Sequence, residues 1–456
     1  MPGSEGEQRL KRRIGLLGVF SFGYADVGAG IYMTLGLVAS YASPATPLAF
    51  AVASISYLLT ALSYAELSSA IPEAGGGMKF AERAFGRLAA FISGWSLLLD
   101  YIVTGSIFAL ATTGYLGHLF PLLHRDPYFG MTASILVAIL VALNILGIRE
   151  SARFSSALVL ADISGLLVIM SLGYLTSFKP FFDQVMIGVN PTLHDFIYAS
   201  TLAMASYLGI EVISQTAEET RRAGRTIPLA VKFVSAVVIG FAIAFSTLAI
   251  GVVGWERLAA SYKDPAAVVA EHLPYGEVLS LWVSFIGMTV CYVATNTGIV
   301  GVSRMAYAMG KEGMLPEWLS ELHPRFLTPY RAVLIFAVVQ LALAMAGHLG
   351  LAADLYNFGA LISYTIVNLS VIVLRLKDPY RYRPFKVPGN IPVRVRGRRV
   401  EFPVSALLGA LSTTVMWLMV VWSHEEGRNV GFAWLAAGLI FYYLYQRRRR
   451  ASPAPR

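Results

Sequence analysis

The chain of 456 residues is poor in the residue types on which several classes of protein depend. It has a single cysteine, Cys291, so no disulfide can form within it. Its seven histidines fall in loops or at the ends of apolar stretches, and no metal-ligand spacing emerges among them. Charged residues make up only 14%, against about 25% in an ordinary soluble domain. The triplet Gly75-Gly76-Gly77 is followed by no Gly-Lys-Ser or Gly-Lys-Thr, and no strand precedes it, so a nucleotide-cradling loop is excluded. Apolar residues fill the space instead, at 56% of the chain and a mean hydropathy of +0.62. A soluble enzyme, a secreted disulfide scaffold and a nucleic-acid module are poor fits to that balance, despite a net charge of +9. The composition is that of an integral membrane protein.

A helix needs about 20 apolar residues to cross a bilayer core. Apolar stretches at 14–39, 46–71, 88–118, 130–147, 154–176, 195–217, 228–254, 276–307, 331–347, 351–376, 403–423 and 429–446 give twelve expected spans in an all-α polytopic protein. The first stretch is too long for the core of a cleaved leader and reads as a retained span. When alternate loops are assigned to alternate sides, 31 of the 36 basic residues share a side with both termini. The other side keeps only Arg125, Lys179, Arg257, Lys263 and Arg428. The positive-inside rule then places both termini in the cytoplasm of a plasma-membrane protein. The N-terminal segment 1–13 and the tail 447–456 read as basic cytoplasmic flanks, and Arg447, Arg448, Arg449 and Arg450 read as an anchor beside the membrane.

Two spans are interrupted. The first carries Gly23-Tyr24-Ala25-Asp26-Val27-Gly28-Ala29-Gly30-Ile31-Tyr32, and the sixth Ser206-Tyr207-Leu208-Gly209-Ile210-Glu211. Glycine weakens a helix by about 1 kcal/mol per residue, and unwound backbone at membrane depth is tolerated only where it lines a protein cavity. Spans one and six also begin two five-helix halves, 14–176 and 195–376, which insert with opposite orientation because five is odd. Helices 11 and 12, within 403–446, are accessory in that scheme.

Those segments resemble the amino acid–polyamine–organocation superfamily. The likeness runs over roughly 14–400 and rests on Gly28-Ala29-Gly30-Ile31, on Ala65-Glu66-Leu67 through Ile71-Pro72-Glu73-Ala74-Gly75-Gly76-Gly77, on Phe80-Ala81-Glu82-Arg83-Ala84-Phe85-Gly86, on Gly209-Ile210-Glu211, on Ala217-Glu218-Glu219 with Arg225-Thr226-Ile227-Pro228, and on Arg383-Pro384-Phe385-Lys386-Val387-Pro388-Gly389. Arg222-Ala223 departs from the Asn-Pro that amino acid permeases often carry there. The resemblance implies a leucine-transporter-like 5+5 inverted repeat plus two accessory helices. It also implies alternating access around spans one and six.

A carboxylate at mid-span costs roughly 2.5–3.5 kcal/mol on insertion scales, so each is a functional candidate. Asp26 and Asp100 lie about 18 Å into their spans and Asp162 about 12 Å, at 1.5 Å per residue. Glu211 follows the span-six break, whereas Glu66 and Asp354 are expected at span ends in helix-terminal roles. The resemblance implies that the span-one amides receive a substrate's carboxylate, for which Asp26, two residues before Gly28, is an awkward neighbour; it suits a cation instead: the amine of a substrate, a metal ion, or a proton. Taken with the resemblance, the expected substrate contacts are Asp26, Val27, Gly28, Ala29, Gly30, Ile31, Ser206, Tyr207 and Gly209, with Tyr32, Thr104 and Tyr356 implied by the family likeness alone, and Asp26, Asp162 and Glu211 are the expected proton carriers. Asp162 stands where proton-coupled superfamily members place a lysine; it either replaces that switch or pairs with a hydroxyl such as Ser164. The site is also similar to KUP-type potassium–proton symporters at Asp26, Tyr32, Thr104, Glu211 and Tyr356, but Leu208 and Phe108 replace hydroxyl ligands of that branch. If potassium is the cargo, its ligands are Asp26, Tyr32, Thr104 and Tyr356.

The expectation is therefore a secondary active transporter, a proton-coupled symporter of an amino acid or organic amine, with a potassium–proton symporter as the alternative. Neither an enzyme constellation nor a resident cofactor is expected; the coupling ion is a proton. The expected partners are a small-molecule substrate and the lipid bilayer, without nucleic acid or an obligate protein partner.

Overall fold

The computed structural model describes residues 14–73, 75–147, 152–395 and 397–451. The basic segment 1–13, Ala74 and the tail residues 452–456 lie outside the described residues.

The first apolar stretch is two helices, α1 (Leu16–Val27) and α2 (Gly30–Ala42). A short turn containing Pro44 leads into α3 (Thr46–Ala70), which stops before Pro72. The amphipathic α4 (Gly76–Phe85) is separated from α5 (Arg87–Leu119) by Gly86, whose φ of +94° a side chain would resist. Then follow α6 (Tyr128–Ile145), α7 (Ala152–Thr176), α8 (Leu193–Met204), α9 (Glu211–Gln215), α10 (Ala223–Val253), the short α11 (Trp255–Ala260) and α12 (Pro265–Glu271), α13 (Gly276–Lys311), α14 (Tyr330–Ala346) and α15 (Leu349–Lys377). A hairpin of β1 (Asn390–Val395) and β2 (Arg398–Pro403) precedes α16 (Val404–Ser423) and α17 (Glu425–Ala451).

Nine helical stretches among the described residues are long and apolar enough to cross a membrane, which makes this a multi-pass membrane protein. Nine differs from the twelve expected for identifiable reasons. The stretch Leu16–Ala70 takes in two expected spans, α14 has only 17 residues, and α17 ends in a run of arginines that lowers its apolar character.

At the centre stands α5, whose most apolar turns are wholly buried and which packs on α13 and α15. Small residues allow the approach: a Cβ on Gly298 would lie 2.4 Å from the Gly105 amide nitrogen, and one on Gly359 would lie 2.7 Å from the Ser96 carbonyl oxygen. The outer helices α6, α7 and α16 leave leucines and isoleucines such as Ile135, Leu160, Leu167, Leu411 and Leu418 exposed, as lipid-facing surfaces do.

The loop expected between spans ten and eleven contains the antiparallel β1–β2 pair, in register from Asn390 opposite Pro403 to Val395 opposite Arg398. It is strapped to the bundle through Glu66. The Glu66 carboxylate accepts from Arg375 Nε at 2.8 Å and Nη2 at 2.5 Å and from the Val387 amide at 2.7 Å, with Arg383 Nε at 3.4 Å. Arg375 in turn donates to Asn390 Oδ1 at 2.5 Å and to the Glu401 carbonyl at 3.0 Å. The helix-terminal role expected for Glu66 is thus replaced by a buried ion pair joining α3, α15 and the hairpin.

Candidate functional site

The two interrupted spans meet where their helices stop. In span one, α1 ends as the Gly28 amide donates to the Tyr24 carbonyl, and α2 restarts at Gly30. Gly30 lies so close to span six that a Cβ would sit 2.4 Å from Ser206 Cα. The Thr34 and Ser206 hydroxyls share a short hydrogen bond across the same contact. In span six, α8 gives way to a turn at Ala205–Tyr207, Leu208 is extended, and Gly209 takes φ +115° before α9 begins at Glu211. That left-handed φ favours glycine. A side chain is also blocked by space, since a Cβ there would lie 2.6 Å from Asp26 Oδ2.

Asp26 therefore packs its carboxylate against the unwound part of span six. Its Oδ1 accepts from Thr297 Oγ1 on α13 at 2.7 Å. Glu211 Oε2 accepts from the Tyr364 hydroxyl at 2.6 Å, and that hydroxyl accepts from the Gly209 amide at 3.1 Å. Asp100 on α5 lies against Glu211, with its Oδ1 lacking a hydrogen-bond partner. Asp26, Asp100 and Glu211 are each 2% exposed or less. Three carboxyl groups brought together away from water repel one another unless a proton or a cation lies among them. Thr104 donates from its hydroxyl to the Asp100 carbonyl at 2.8 Å, and Tyr356 lies beside Thr104 with its ring edge-on to Phe108 at 6.3 Å.

Asp162 occupies a second cluster. It is wholly buried on α7 and accepts from the Tyr24 hydroxyl at 2.8 Å and the Tyr32 hydroxyl at 2.5 Å. These tyrosines belong to the two halves of broken span one, so Asp162 pins α1 to α2. Its hydroxyl partners are tyrosines and not Ser164, which bonds to the Ala161 carbonyl of its own helix. Tyr207 turns toward α3, donating to the Phe50 carbonyl at 3.1 Å and stacking on Tyr57 at 5.2 Å. Val27, Ala29 and Ile31 are buried around the break.

The structure thus brings Asp26, Gly30, Ser206, Gly209 and Glu211 to one place, with Thr104 and Tyr356 on its α5–α15 wall, and sets Asp162 with Tyr32 apart. It adds Thr297 and Tyr364, which sequence reasoning did not single out, and gives Asp100 a position beside Glu211. The polar run Thr295-Asn296-Thr297 inside apolar α13 was the available signal for the first of these. Among the described residues no grouping of His, Cys, Asp and Glu forms a metal site.

Residues 14–444 match the profile of the family described as amino acid permease. The chain is 29% identical to the branched-chain amino acid permease BcaP of Bacillus subtilis, over 98% of this chain and 95% of that one. It is likewise 29% identical to a methylthioribose transporter of the same organism, over 92% and 90% of the two chains. Identity to the low-affinity putrescine importer PlaP of Escherichia coli is 28%, over 95% and 93%.

Proposed function

The chain belongs to the amino acid permease family and is a multi-pass membrane transporter of the amino acid or amine type, and from that premise we propose that it is a proton-coupled symporter of the plasma membrane, working by alternating access around the breaks in spans one and six. In this reading the chain makes twelve spans with both termini in the cytoplasm. Helices 1–5 and 6–10 form inverted repeats, and helices 11 and 12 are accessory.

The observation that carries the proposal is the buried trio Asp26, Asp100 and Glu211, set where both helices lose their regular backbone. Asp26 meets the substrate's ammonium group, together with the carbonyls freed around 206–208. The amides of Ala29 and Gly30 face its other polar end, that of Gly28 being held by the Tyr24 carbonyl. Glu211 and its neighbour Asp100 hold the transported proton between them, and Tyr364 ties Glu211 to the Gly209 backbone that must move. Asp162 is a second candidate carrier, because release of its proton or its tyrosines changes how α1 and α2 are held together. No resident cofactor enters the scheme. Leu208 and Phe108 present apolar surface, which suits an organic cargo better than potassium, and none of the relatives named above is a potassium carrier by name.

Proteoliposomes loaded with a pH-sensitive dye, at clamped membrane potential, test this with a panel of amino acids and polyamines beside potassium. Acidification should follow one organic substrate. Asp26→Asn should lower its uptake about ten- to a hundredfold, the equivalent of a lost charged hydrogen bond at 1.5–3 kcal/mol. Uptake and a pH profile like those of the native protein in that variant would overturn the assignment, and acidification with potassium alone would replace the cargo.

A further inference from the structure

A cavity of about 500 Å³ opens at the end of α5 remote from Arg87, between the last turns of that helix and the α11–α12 segment. Its walls carry both signs of charge. Asp264 and Glu271 supply carboxylates, Lys263 an ammonium group, and His118 and His124 imidazoles. His118 Nδ1 lies 2.8 Å from Asp264 Oδ2, and both side chains are largely buried. Lys263 Nζ donates to the His124 carbonyl at 2.7 Å and rests 4.2 Å from the centre of the Phe129 ring, which leaves it further N–H groups to donate.

The cavity is joined to the interrupted span by hydrogen bonds. Two residues after Asp264, the Ala266 amide donates to the Tyr115 hydroxyl at 3.4 Å, and that hydroxyl donates to the Tyr32 carbonyl at 2.8 Å. Tyr32 is the residue whose own hydroxyl reaches Asp162. The segment sits tightly on the bundle: a Cβ on Gly114 would lie 2.1 Å from the Lys263 carbonyl oxygen, and one on Gly36 would lie 2.4 Å from Tyr262 Cα. A ligand gripping Asp264, Lys263 and Glu271 would hold this segment against α5 and α2.

We propose that this cavity is a second binding site, for a zwitterionic amino acid, whose ammonium group is received by Glu271 and Asp264 and whose carboxylate is received by Lys263. Its size matches a small ligand and its paired charges match a zwitterion better than a diamine, which would meet Lys263 with like charge. The site captures the amino acid before it reaches the interrupted helices and steadies the α11–α12 segment while it is there. The proposal rests on the reading that the cargo is an amino acid.

The test uses the full-length protein in nanodiscs and proteoliposomes, with radiolabelled members of the standard amino acid set and with putrescine as probes. Glu271→Gln and Lys263→Met should each raise KM for amino acid uptake about fivefold while leaving the maximal rate within about twofold, and Glu271→Asp should restore the native KM. Asp26→Asn, which weakens the deep site about ten- to a hundredfold, should retain saturable amino acid binding at the native affinity of the outer site, and adding Glu271→Gln should abolish that binding. An unchanged KM in both single variants, or no saturable binding in Asp26→Asn while the native protein binds, would overturn the outer site and leave the symporter reading standing. Uptake of putrescine but of no amino acid by the native protein would overturn both the outer site and the amino acid cargo.

Discussion

Asp354 shows how far a single side chain can be read without its neighbours. In the sequence it is one acid near the start of an apolar stretch, and a helix-terminal role is the economical expectation. In the fold it is wholly buried, accepts from the Tyr198 hydroxyl at 2.9 Å, and lies 2.7 Å from His424 Nδ1. His424 stacks on Tyr198 at 4.7 Å, and Tyr198 meets Tyr41 edge-on at 4.8 Å. One imidazole at the α16–α17 junction thereby ties α15, α8 and α2 together. The hydrogen bond to Asp354 is the main reason that the His424 pKa stands above its ordinary value, with nearby Glu426 adding to it and burial opposing it. Arg428 also lies here, its amide bonded to the His424 carbonyl at 3.0 Å and its guanidinium 3.9 Å from Glu425. A histidine whose folded pKa is raised contributes stability that is fully present below its unfolded pKa of about 6.5 and is lost as pH rises through the folded value. The melting temperature of the detergent-purified protein should therefore fall as pH rises from about 6.5, and His424→Gln should flatten that slope. A slope in the variant as steep as in the native protein would remove His424 from the account. Mid-span acids such as Asp26 were legible because their cost is large wherever they lie. Thr297 was not, since a threonine hydroxyl is cheap in a membrane helix, where it bonds to its own backbone as this one does to the Ala294 carbonyl, and Tyr364 was not, since its partners Glu211 and Gly209 lie more than 150 residues away in the chain.

At the scale of elements, the breaks were the most legible feature, and the reason is physical. A glycine beside an acid in an otherwise apolar run gives up helix propensity and solvation together, and only a buried functional contact repays both. The structure gives the residue-level cause in Gly209, where φ is +115° and the Asp26 carboxylate fills the place a Cβ would take. Gly209→Ala should therefore harm transport far more than an ordinary glycine-to-alanine change in a helix. The expected outcome is native-like insertion and expression with uptake reduced about tenfold or more, matching the 1–3 kcal/mol cost of an unfavourable backbone region. Full uptake by Gly209→Ala would mean that this geometry is not on the transport cycle. The β1–β2 hairpin was hidden for the opposite reason. Its basic residues served the charge count that orients the chain, and Pro392 weakens the alternation that would mark a strand. The contact that holds it in place, Glu66 with Arg375, spans 309 residues and leaves no local trace.

For the whole molecule, orientation decides which face of the protein meets which compartment. With the loops of twelve expected spans assigned alternately to the two sides, the charge asymmetry is large: 31 basic residues fall in the set that contains the termini and five in the other. The structure places exposed residues on loops of both sets, Val189 at 73% exposure between α7 and α8 and Tyr382 at 82% between α15 and β1. It also buries Cys291 completely, so the native thiol contributes little background to surface labelling. With Val189→Cys and Tyr382→Cys made separately, a membrane-impermeant maleimide applied to intact cells should label the first and not the second, and permeabilisation should expose Tyr382→Cys. The cavity beside Lys263 and Glu271 belongs to the Val189 side by the same loop alternation, so this experiment also decides whether that cavity faces the medium from which a substrate would be captured. Reversed labelling would turn the molecule over, placing the cavity in the cytoplasm and making its occupant an exported or regulatory amino acid. Labelling of both positions in intact cells would mean that the number of spans between them is even, which neither the charge bias nor the expected twelve-span arrangement permits.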